Sequence, residues 1–215
     1  MIVLIASAYN YDVLSIGRNK ELMMNVSLFL NTIAAVIVAI SLTFEIPKEL
    51  NSGVASTLLS KPLGRTQYLI GKLIGTIITG LVITGFITVG FMFVFNMFFE
   101  KVPISMLQGH LMVMASVIPM SAIALFFSVL LPESVATIAA TLAIAFSFMG
   151  TKLHDIKYVY GGIIPDLNLL DVRAEAVWGT NIDEMYMLMA LVWGIAFSVF
   201  ASSVASVVFG YKDLK

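Results

Sequence analysis

Five long apolar runs separated by polar breaks set the pattern of this chain. They cover residues 26–44, 68–99, 111–131, 135–150 and 185–209, and Lys72 is the single charge within them. A helix crosses a hydrocarbon layer of ~30 Å with about 20 mostly apolar residues, at ~1.5 Å of rise each. Each run therefore predicts a spanning helix. The 68–99 run exceeds one straight crossing, so its start near Lys72 lies in the interface or the helix tilts. Pro132, Glu133 and Ser134 are the whole break between the third and fourth runs, which predicts a tight turn and an antiparallel pair. Residues 1–9 are apolar but too short to cross, and they lack the basic start of a signal peptide. They read as the tail of a further span whose beginning is absent. The expected fold is all-α integral membrane, a single domain of five complete transmembrane helices plus an N-terminal stub of a sixth, with a short helix in the 45–67 loop and a larger excursion at 151–184.

The most polar interruption, residues 45–72, reads EIPKELNSGVASTLLSKPLGRTQYLIGK and holds four of the twelve Lys and Arg: Lys48, Lys61, Arg65 and Lys72. Inside it, residues 49–60 are amphipathic at helical spacing. Leu50, Val54 and Leu58 recur every four residues with Leu59 beside them, opposite Asn51, Ser52, Ser56 and Ser60. Pro62 then forces Lys61 out of the helical region. Such a helix can lie flat at a membrane surface or dock into a partner's groove, and the residues alone leave both open.

Composition places the runs in lipid. Sixty per cent of residues are hydrophobic, 12% are charged and the mean hydropathy is +0.99. A soluble domain needs about 25% charged residues to cover its surface. A net charge of −1 gives no basic face for nucleic acid. With no cysteine, disulfides and thiolate metal sites are excluded. His154 and Asp155 are a lone pair that defines no metal site, and no cofactor is expected.

Small residues recur on the second run. Thr76, Gly80, Thr84 and Thr88 repeat every four positions, with Gly71, Gly75 and Thr79 as a neighbouring stripe. This spacing lets helix backbones approach, so close helix packing is the expectation, and a semi-polar transport wall the alternative. Pro119 removes one backbone hydrogen bond from the third run and is a candidate hinge. No Asp, Glu, His or Arg falls near the centre of a run, with Lys72 and His110 placed at run ends, which disfavours ion coupling through this chain. Ser128 and His110 are the residues an intramembrane hydrolase would have to use, but no nucleophile and base are paired by spacing, so no catalytic residue is assigned. Gly71-Lys72 does not make a phosphate-binding loop. Six residues separate Gly64 from Gly71 where that loop needs four, and Leu73 follows the lysine in place of Ser or Thr. In the 151–184 excursion, residues 171–178 predict a short helix with Val172, Ala176 and Val177 facing the membrane surface, and Trp178 and Tyr186 suit the interfacial belt.

Glu49, Gly53, the run Leu58-Leu59-Ser60-Lys61-Pro62, Arg65, Tyr68-Leu69 and Gly71-Lys72 together resemble the signature loop of ATP-binding-cassette permeases of the type-2 exporter class. Residues 122–128 resemble the end of that family's fourth span. Residues 164–179 resemble the external loop of the branch labelled multi-copper enzyme maturation permeases, and residues 209–214 resemble the basic tail of the wider family. The complete first span of the family is missing at the front. The resemblance implies that the 45–67 loop is a cytoplasmic coupling helix contacting a separate ATPase. Leu50, Val54, Leu58 and Leu59 would fill a cleft, with Glu49, Lys61 and Arg65 setting register at the rim; lipid-headgroup anchoring is the competing role for Lys61, Arg65 and Lys72. It further implies a second permease copy or paralogue, lipids as surroundings, and a prokaryotic plasma membrane. Lys and Arg split evenly between the two sides, but the proposed cytoplasmic loops are the more basic per residue. A membrane anchor or assembly factor without transport, holding its partner through the same loop, is the alternative. No substrate is legible.

Overall fold

The computed structural model describes residues 19–54, 57, 64–99, 101–148 and 165–211. The stub at 1–9, the loop core Leu58 to Pro62, and His154-Asp155 lie outside them. The helices are α1 (Asn19–Asn51), α2 (Arg65–Phe99), α3 (Ile104–Leu130), α4 (Glu133–Phe148), a short α5 (Arg173–Val177) and α6 (Glu184–Gly210), with a 3-10 turn at Leu167–Leu170. There is no strand among the described residues. Four helices, α1, α2, α3 and α6, are long and apolar enough to cross a membrane. The expected fourth span is shorter: α4 has 16 residues, a length of about 24 Å at ~1.5 Å per residue. Its described part falls short of a hydrocarbon layer.

α3 is the central helix. It packs against α1, α2, α4 and α6 and buries residues on nearly every side, from Met106 to Val129. Its neighbours bury one face each. On α2 that face is Leu69, Leu73, Thr76, Gly80, Thr84 and Thr88, while Phe86 (76%) and Phe93 (67%) point outward. That inversion of the soluble rule, with apolar side chains outside, is what lipid as solvent permits.

α1 and α2 run antiparallel, as do α3 and α4. The bundle therefore has a loop end, where α1 stops and α2 begins, and a far end, where α3 and α6 begin. Three expectations change here. α1 does not end at Phe44: it continues through Glu45 and past Pro47 to Asn51. A proline within a helix costs about 3 kcal/mol, but Ile46 is fully buried with Tyr68 and Leu69, and burial of such side chains offsets that at roughly 1.5–3 kcal/mol each. The helix expected over 49–60 is accordingly not one element. Glu49 and Leu50 are the last turn of α1, and Gly53 breaks the chain with φ of 74°, a left-handed conformation that glycine adopts without the usual Cβ clash.

The third change is at the far end. Val172 and Ala176 do not face the membrane surface. They are buried in the core with Leu167, Leu170 and Ile182, against Leu28, Met112 and Val113. Gln108 on α3 fastens this segment twice, its amide nitrogen donating to the Ile182 carbonyl and its oxygen accepting from the Ile182 N–H, both at 3.0 Å. Ser105 donates to the Ala176 carbonyl at 3.0 Å, and Tyr186 to that of Leu169 at 2.8 Å. Residues 165–183 are thus a plug over the bundle end. Trp178 remains 64% exposed.

Candidate functional site

The loop end concentrates the charged residues that the sequence singled out. Glu49 sits on the last turn of α1, and Tyr68 and Lys72, four residues apart, share one face of the first turns of α2. The Tyr68 hydroxyl donates to Glu49 Oε2 at 2.7 Å, and the Lys72 ammonium donates to Glu49 Oε1. Glu45, one helical turn back, approaches the same ammonium at 3.5 Å. Two carboxylates of its own chain thus flank Lys72.

Arg65 opens α2. Its guanidinium donates to the carbonyls of Phe209 at 3.2 Å and Gly210 at 2.8 Å, the last turn of α6. The final carbonyls of a helix lack intrahelical donors and carry partial negative charge, so a cation there is favoured. One turn along, the Tyr68 ring stacks on Phe209 with centroids 6.0 Å apart. Glu49 and Arg65, expected at a docking rim, are thus engaged within the chain. Leu50 leans on the same apolar cluster, while Val54 is 45% exposed.

The two small-residue stripes separate. Thr76, Gly80, Thr84 and Thr88 are buried, and a Cβ on Gly80 would run into the Val117 side chain of α3. Gly71 and Gly75 face open space within the chain. α3 is helical on both sides of Pro119, whose ring lies over Gly194 of α6.

A second cluster was not legible from spacing. α3 begins seven residues before the expected run, which moves His110 from a run end into the helix, where it is fully buried. Asn31 Nδ2 donates to His110 Nδ1 and to Thr88 Oγ1, each at 3.0 Å. His110 Nε2 lies 3.4 Å from Ser27 Oγ. Because the amide nitrogen can only donate, His110 Nδ1 accepts, and the ring proton sits on Nε2, facing Ser27. Ser27 Oγ in turn donates to the Met24 carbonyl at 2.8 Å, and Thr88 Oγ1 to that of Thr84 at 2.7 Å. Serine, histidine and asparagine invite comparison with a catalytic triad, but the serine proton is committed to a carbonyl and the imidazole presents N–H, where a base would present a lone pair. The cluster fastens α1, α2 and α3 together. Asn31, the single amide side chain in the uncharged 26–44 run, was the available signal. No group of three or more metal-ligating side chains occurs among the described residues.

Long apolar helices around a buried α3, with few charges and those gathered at helix ends, define a multi-pass helical membrane protein. A family model described as ABC-2 family transporter protein matches residues 4–153, well over half of the chain. The chain belongs to this family, and is the permease component of an ATP-binding-cassette system, a kind of assembly that includes an ATPase. The match covers the 45–72 region and α1 to α4, and stops before the plug and α6. No curated protein and no solved structure matches the chain.

Proposed function

We propose that this permease couples ATP hydrolysis on a separate cytoplasmic ATPase subunit to export of a substrate, with the segment between α1 and α2 as the coupling element. The observation that carries this reading is the arrangement of the segment's two ends. It leaves α1 at Asn51, two residues after Glu49, and returns at Arg65, one helical turn before Tyr68, so both ends run into one polar cluster joining three helices. A pull on the segment reaches the bundle through rigid contacts, as a shift between two packings requires. In this reading Leu58, Leu59 and Lys61 contact the ATPase, whereas Glu49 and Arg65 hold the handle in place. Hydrolysis belongs to the ATPase, since the Gly71-Lys72 spacing is wrong for a phosphate loop. The permease works with a second copy or paralogue in a prokaryotic plasma membrane. Assignment to the multi-copper maturation branch rests on residues 164–179 alone.

The test is recovery of an ATPase with the full chain from its native membrane. Leu58→Asp with Leu59→Asp places two charges on the proposed contact and is expected to reduce recovery at least tenfold. Equal recovery with and without these changes removes the segment as the docking site. An ATPase that is recovered but never stimulated in liposomes supports the anchor alternative.

A further inference from the structure

We infer that Arg65 is a positioning residue that carries movement of the coupling segment into α6, and that it does not itself grip the ATPase. This rests on the coupling reading above and assigns the route by which the segment reaches the rest of the bundle. Three observations converge. Arg65 donates to two successive carbonyls at the end of α6. Tyr68, on the next turn of α2, is buried and stacked on Phe209 of the same α6 turn. The Tyr68 hydroxyl and Lys72 then hold Glu49, so α6, α2 and α1 form one connected chain of contacts.

The chemistry explains why arginine suits this place. A planar guanidinium bonds two oxygens in a fixed direction, whereas an ammonium on a flexible stem keeps the charge without the fork. α6 runs from this contact past Gly194, which lies against Pro119 in the middle of α3, to the far end, where Tyr186 holds the plug at Leu169. Displacing the α6 terminus therefore shifts a helix that touches both the plug and the central proline. In a tightly packed bundle such a shift is transmitted along the helix.

The chain has no cysteine, so Met185→Cys, at an exposed position (58%) at the far end of α6, gives it a unique maleimide target. Labelling is compared in the full permease–ATPase complex, nucleotide-free and with ATP and vanadate. The Met185→Cys parent is expected to show at least a threefold change in rate between the two states. Adding Arg65→Ala should bring that ratio to about one while ATPase recovery stays within twofold of the parent. Arg65→Lys, which keeps the charge and guards against misfolding, should retain full recovery with a reduced ratio. An Arg65→Ala or Arg65→Lys complex with an unchanged ratio overturns the inference, as does an unresponsive parent. Loss of ATPase recovery in Arg65→Lys also overturns it and makes Arg65 a docking contact. Failure of the parent chain to recover any ATPase instead defeats the coupling reading beneath it.

Discussion

Asn31 shows how one polar side chain can fasten three membrane helices. Its amide nitrogen serves His110 and Thr88 together, while its oxygen has no partner among the described residues. Interhelical hydrogen bonds in bilayers contribute about 0.5–2 kcal/mol, because helices unpacked in the membrane find other partners. Asn31→Ala leaves His110 Nδ1 without its donor and is expected to destabilise the bundle by about 1–2 kcal/mol, seen as a lower Tm in detergent. Asn31→Asp at neutral pH should cost more, since it replaces the amide donor to His110 Nδ1 with a carboxylate in a buried site. A Tm unchanged in both variants would mean that the network contributes nothing to packing. Glu49 was legible as important from its place in the motif, but its chemistry was not. A lone glutamate at a helix end reads as a rim charge; the structure gives it a tyrosine and a lysine from another helix.

Among the elements, α2 offers a controlled comparison. Its two small-residue stripes look alike as spacing, and no periodicity argument ranks them. The structure separates them by what lies opposite. Gly80→Ala drives a methyl group into Val117, a β-branched side chain with one favoured rotamer in a helix, and is expected to cost about 1–3 kcal/mol. Gly75→Ala meets open space and should be neutral or slightly stabilising through helix propensity. Equal effects in a thermal unfolding assay would contradict this packing. The plug makes a similar point. Its amphipathic spacing was readable, yet the direction of its apolar face was not, because membrane surface and bundle end are both apolar. Gln108→Ala removes both bonds to Ile182, so faster amide hydrogen exchange is expected across residues 165–183 while α1 stays protected.

For the whole molecule, the prediction concerns which surfaces meet lipid. Spin labels at Ile78, Phe86 and Phe93 of α2 should show high oxygen accessibility in bilayers, and labels at Thr84 and Thr88 low accessibility. Low values at Ile78 and Phe86 in the assembled complex would place the second permease on that face of α2. Composition and apolar run length by themselves determined that this chain is helical and membrane-spanning, and roughly where its helices lie, because crossing hydrocarbon demands about 20 apolar residues with internally satisfied backbones. The motif in residues 45–72 pointed to the family by pattern. Only the tertiary structure decided that α1 runs through Pro47, that His110 is interior, that the plug faces inward, and that Arg65 ends on α6. Each of these depends on residues brought together from distant parts of the chain, and helical spacing within one segment carries no record of what stands opposite it.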